Sequence, residues 1–132
     1  MYYGSTNANG GNHMKTLILA TAMAASLANA ATPDVTRAEV AHLMNAVEKS
    51  QCKFNRNGSW HDATAARKHL AKKFDYMAKR DLVPSTEAFI ERGASTSSTS
   101  GKPYQMQCGS GAAIASGQWL MAELKRYRGA SR

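Results

Sequence analysis

The sequence predicts a mostly α protein: a small helical domain of about four helices, with two loops tied by one disulfide and a short extended segment at 104–108. Three observations carry this expectation. Apolar residues recur with the helical period in separate stretches after residue 33. Clusters of turn-forming residues divide those stretches. The two cysteines, Cys52 and Cys108, lie behind an N-terminal export pattern.

That pattern begins at Met14-Lys15. One positive charge is followed by an apolar run from Leu17 to Leu27 and then by Ala28-Asn29-Ala30. A charged start, a short apolar run and small residues at −3 and −1 make a secretory signal peptide over 14–30, cleaved after Ala30. The run is about half the ~20 residues a membrane-spanning helix needs, so no transmembrane segment is expected after cleavage. Residues 1–13 are Gly- and Asn-rich, lack an apolar period, and read as a disordered extension or a mis-called start. A single domain over 31–132 remains.

In that domain Asp34 or Thr36 can cap a first helix, whose apolar face is Val40, Leu43, Met44 and Val47, ending near Lys49. Asn55-Arg56-Asn57-Gly58 is a turn signal. Ser59 can cap a second helix carrying Ala63, Ala66, Leu70, Phe74 and Met77 on one face, with Lys68, Lys72, Asp75 and Lys79 opposite. After Pro84, Ser85 or Thr86 caps a short helix that Gly93 stops. Ser95 to Gly101 reads as a polar loop. A last helix runs from about Ala112 to Arg128, with Leu120, Leu124 and Tyr127 on its face and basic residues near its negative end.

Such a core is small. Residues 31–132 hold fourteen Leu, Ile, Val and Phe, and sixteen Lys and Arg against nine Asp and Glu, a charge of +7. A chain so poor in large aliphatics benefits from a staple. Export puts both thiols in an oxidising space, where a Cys52–Cys108 disulfide persists. Closing a loop of roughly 55 residues is worth about 4 kcal/mol. The alternatives are an intermolecular disulfide, or a free Cys52 nucleophile beside a His. An intramolecular bridge forces the loops 52–58 and 98–104 together, and residues on loops held by a rigid frame are binding candidates. These are Arg56, Asn57, Ser100, Lys102 and Tyr104.

Several segments together resemble the YfeK-like family of small exported proteobacterial proteins. They are Glu48 to Gly58, Ala65 with His69 to Lys73, Thr86 to Ile90, Ser98 to Tyr104 with Cys108, and Trp119-Leu120. The most specific are Cys-x-Phe-x-Arg-Asn-Gly and Ser-Gly-Lys-Pro-Tyr. The resemblance spans about residues 36–128. It implies a Gram-negative source and a periplasmic location, and brings no biochemical activity with it. It includes the His69-Leu70 pair, so His69, near Lys73, Tyr76 and Arg80 on its helix, joins the binding candidates.

The residues give catalysis little support. His61 and His69 are eight apart on one helix, about 80° out of line, with no Cys partner once the disulfide forms, so no metal site is expected. No cofactor motif is present: there is no Gly-rich phosphate loop before a helix and no Gly-x-Ser-x-Gly elbow. Most carboxylates sit beside Lys or Arg and read as solvated pairs. Glu48 with His69 is the one acid–base couple to consider. Between Lys53 and Arg80, eight Lys and Arg face Asp62 and Asp75, a local excess of +6. Basic stretches track phosphates, yet export separates this one from cytoplasmic nucleic acid, and the aromatic interleaving of single-strand binders is missing. The expected function is therefore that of a monomeric periplasmic binding or accessory protein recognising an anionic envelope component or a protein partner, without nucleic acid. The alternative is a small cell-wall-acting hydrolase or transferase using Glu48 and His69.

Overall fold

The computed structural model describes residues 31–131, and within them the mostly α expectation is corrected: four helices pack with a four-stranded antiparallel sheet. The signal peptide read over 14–30 and the extension 1–13 lie outside the described residues. Helix α1 spans Asp34–Ser50, buries Val40, Leu43, Met44 and Val47, and ends where Gln51 turns left-handed at φ 54°. Strand β1 (Lys53–Arg56) and strand β2 (Ser59–His61) then form a hairpin. Asn57 and Gly58, at φ 54° and 84°, make its two-residue turn. Two positive φ values in succession match the twist of the flanking strands, which is why Asn-Gly favours this connection.

Strand β3 (Gln105–Gln107) pairs with the other edge of β1, and strand β4 (Ile114–Ala115) pairs with β3, giving the order β2-β1-β3-β4. Lys53 faces Gln107, Phe54 faces Met106 and Asn55 faces Gln105. One step outward in the same register sets Cys52 against Cys108, and one step inward sets Arg56 against Tyr104. Cys52 and Cys108 are disulfide-bonded with their Cα atoms 4.4 Å apart. Side chains alternate faces along a strand, so Cys52, Phe54 and Arg56 share the face that Tyr104, Met106 and Cys108 share. That face is the buried one: Phe54, Tyr104 and Met106 all belong to the core.

Helix α2 (Ala63–Ala78) lies over this face. Its cap is Asp62 rather than Ser59, the carboxylate accepting from Ala65 N at 2.8 Å, because Ser59 is taken up in β2. Its apolar line Ala63, Ala66, Leu70, Phe74 and Met77 is buried. Ser85 caps helix α3 (Thr86–Phe89), which continues as a π-turn over Ile90–Ala94. Gly93 is required there, because a Cβ would lie 2.8 Å from Met77 Sδ and 2.9 Å from the Phe89 ring. Helix α4 spans Ser116–Ala130, starting later than the sequence suggests because Ile114 and Ala115 pair into the sheet. Leu43, Val47, Phe89, Ile90, Met106, Leu120 and Leu124 form the inaccessible centre.

Two carboxylates read as solvated are buried instead. Glu39 accepts from Arg128 at 2.6 and 2.9 Å and from Thr86 Oγ1 at 2.7 Å, tying α1 to α3 and α4. The Arg128 guanidinium also bonds Glu87 and is the main reason the Glu39 carboxyl is held below its usual range. Glu123 bonds Arg126 and His42, and His42 stacks on Tyr127. Burial works against the Glu123 charge, but those bonds outweigh it and lower its pKa.

Candidate functional site

Arg56 leaves the end of β1 on the buried face of the sheet, where α2 presents His69 and, one turn on, Lys73. Arg56 Nη1 lies 2.5 Å from His69 Nδ1 and 3.3 Å from Nε2. A guanidinium only donates, so the nearer Nδ1 accepts and the ring proton sits on Nε2. That nitrogen donates to the Tyr104 hydroxyl at 3.1 Å. Lys73 Nζ donates to the same hydroxyl at 3.2 Å and to the Thr96 carbonyl at 3.1 Å, with its ammonium 5.0 Å from the centre of the Tyr104 ring.

The electrostatics follow from this crowding. Burial first, and then the charges of Arg56 and Lys73, push His69 down to about 4, so the imidazole is neutral at pH 7. Burial also lowers Lys73, helped by Arg56. Burial raises Tyr104 against the pull of Arg56, so the phenol keeps its proton. The Tyr104 oxygen accepts from both His69 and Lys73. Its own O–H is left for an acceptor that the cluster does not contain.

These side chains form the wall of a groove of about 630 Å³. Arg56, Lys72, Lys73 and Arg92 bring four basic groups to it, and no Asp or Glu lines it. Among the described residues none of the four is in a salt bridge. Ser97, Ser98 and Thr99 add hydroxyls on one side; Tyr76, Met77 and Leu82 form an apolar side. The Ser/Thr run is an ordered loop: Ser97 N donates to Lys102 O, and Gly101 N to Ser97 O, both at 2.9 Å.

Of the sequence-based candidates, Arg56, Asn57, His69 and Tyr104 line this groove. Ser100 is exposed and does not line it, but its hydroxyl donates to Asn57 Oδ1 at 2.5 Å and so ties the loop to the hairpin turn. Lys102 is exposed and lines neither this groove nor the cavity behind it. Its backbone N donates to Ser100 Oγ. Glu48 pairs with Arg67 at 3.2 Å and lines neither of the two cavities that His69 lines. Lys72, Lys73 and Arg92 are absent from the sequence-based set. Lys73 has a legible signal, since a residue four after His69 shares its face; Arg92 enters from the π-turn, which has none. Among the described residues no group of three or more His, Cys, Asp or Glu is placed to hold a metal ion.

A family model described as a family of unknown function (DUF5329) matches residues 34–128, from the first residue of α1 into α4. No curated protein and no solved structure matches the chain.

Proposed function

The chain belongs to that DUF5329 family of unknown function, and we propose that it is a small exported binding module that captures an anionic group in the groove between β1, α2 and the 96–104 loop. The observation that carries this reading is the one-sided chemistry of the groove. Four basic side chains and an unspent Tyr104 O–H converge with no carboxylate among them. Grouping like charges is unfavourable by Coulomb's law, and a carboxylate, phosphate or sulfate supplies the missing counter-charge.

Export is supported by the signal-type segment at 14–30 and by the Cys52–Cys108 disulfide, which suits an oxidising compartment. The likeness of Cys52 to Gly58 and of Ser100 to Tyr104 to YfeK-like proteins supports a periplasmic location. No helix of the described residues is long and apolar enough to cross a membrane. The test is calorimetric titration with inorganic phosphate at 20 and 200 mM salt. Binding is expected at low salt, weaker at high salt, and lost in Arg56→Gln/Lys73→Gln with the circular dichroism spectrum unchanged. A double variant that binds phosphate as the wild type does refutes the reading.

A further inference from the structure

Behind the groove lies a second, smaller cavity of about 70 Å³ that shares Arg56, His69 and Tyr104 with it as a common wall. Its other lining is largely apolar: Phe54, Ala65, Ala66, Leu70 and Ala94. Three polar residues break that pattern, Asn55, His61 and Ser116; Asn55 Oδ1 accepts from Gly58 N, and of the three only Ser116 is fully buried. Ser116 lines the cavity, is 2% exposed, and its Oγ has no hydrogen-bond partner. Native structures rarely leave a buried hydroxyl unpaired, since that costs about 1–3 kcal/mol. The position has no backbone reason to be Ser: helix α4 begins there with Ser116 N already donating to Tyr104 O at 2.9 Å, a bond any residue except proline makes.

We infer that this cavity is the specificity pocket of the anion site. It receives the short body of a small organic anion whose charged head Arg56 holds, and Ser116 Oγ bonds a carbonyl or hydroxyl on that body. The ligand class is thus a short oxo-, hydroxy- or acyl-substituted carboxylate or its phosphate counterpart, rather than a bare inorganic anion. Size supports this. The volume of about 70 Å³ is under half of one that takes a benzene ring, too small for a sugar ring or a long lipid tail and enough for about the last three carbons of a short chain. The inference rests on the anion-binding reading and adds the part of the ligand that carries no charge.

The probes are acetate, pentanoate and 4-oxopentanoate, titrated against the protein by NMR. Pentanoate is expected to bind at least tenfold tighter than acetate, because each buried methylene adds about fourfold. The Ala65→Leu variant, which fills the cavity from the exposed side of α2, brings the pentanoate-to-acetate ratio close to one. Ser116→Ala weakens 4-oxopentanoate about fivefold relative to pentanoate while raising the melting temperature of the free protein. Equal affinities for acetate and pentanoate, both lost in Arg56→Gln, overturn the specificity pocket and leave the anion site standing. No binding of any of the three carboxylates overturns the pocket, and if phosphate also fails to bind, the anion site falls with it. A Ser116→Ala protein with an unchanged 4-oxopentanoate-to-pentanoate ratio overturns the role of the hydroxyl, as expected if a water alone satisfies it.

Discussion

The protonation of His69 is the most exposed consequence of the site's geometry. Its pKa is lowered from 6.5 to about 4, by burial first and then by Arg56 and Lys73. Such a shift corresponds to about 3 kcal/mol between the two protonation states; the ring is only partly buried, and solvent screening reduces that to about 1–2 kcal/mol. The direction of the pH effect follows. Above pH 6.5 the imidazole is neutral in both folded and unfolded chains and contributes no slope. Between pH 6.5 and about 4 the unfolded chain takes a proton that the folded chain refuses, so stability falls as pH falls. Replacing Arg56 with Gln removes the larger of the two main charge contributions but leaves burial, so His69 rises part of the way towards 6.5. A ligand anion in the groove acts in the same sense, and binding is then accompanied by proton uptake near pH 5. The assay is a two-dimensional NMR titration of the His69 ring, free, with phosphate and in Arg56→Gln, beside urea denaturation from pH 4.5 to 7. A His69 that titrates near 6.5 in the free wild-type protein refutes the picture of a neutral ring wedged between two cations.

Three further outcomes are expected. Replacing Cys52 and Cys108 together with Ala releases a 56-residue loop, costs about 4 kcal/mol and lowers the melting temperature by about 10–20 °C, read by calorimetry; an unchanged melting temperature contradicts it. Glu39→Gln takes the charge from a buried carboxylate bonded to Arg128 and Thr86 and costs about 2 kcal/mol in urea denaturation, at the low end for a buried pair because Arg128 is 43% exposed. Gly58→Ala places a Cβ at φ 84° with nothing within 4 Å, so about 1 kcal/mol is lost to backbone conformation alone, with phosphate affinity falling as Arg56 loses its hairpin.

What the sequence made legible follows from the range of the forces involved. The faces of α1 and α2 are local patterns, and the structure buries the residues that the 3.6-residue period selects. Of the sheet only β3 was legible, inside the extended segment expected at 104–108; the rest was not, because the strands are two to four residues long. No alternation of useful length fits in such strands, and β1 finds its second partner some fifty residues away. The Asn57-Gly58 pair carries a hairpin signal, but β1 offers only Phe54 as a deeply buried residue, too little to separate a strand from a loop. Glu39 and Glu123 look like surface acids because their bonding partners, Arg128 and His42, are 89 and 81 residues distant in the chain.

The disulfide and the site are two consequences of one register. Counting outward from the Phe54–Met106 pair, two residues in one direction reach Cys52 and Cys108, and two in the other reach Arg56 and Tyr104. A slip by one residue would turn every side chain of a strand to its other face. It would carry Arg56 away from His69 and separate the cysteines. The covalent bond at one end therefore guarantees the pairing at the other, which short strands joined through a small core would hold only weakly. This matters most for a site whose own charges repel. Arg56, Lys72, Lys73 and Arg92 gain nothing from proximity until an anion arrives, so the frame must hold them together beforehand. On this argument reduction of the disulfide acts on the groove as well as on stability. In the fraction of reduced protein that remains folded, His69 moves back towards its ordinary pKa as Arg56 and Tyr104 separate, and phosphate binding weakens. Reduced, folded protein that keeps both the low His69 pKa and full phosphate affinity would show that the sheet holds its register without the bond.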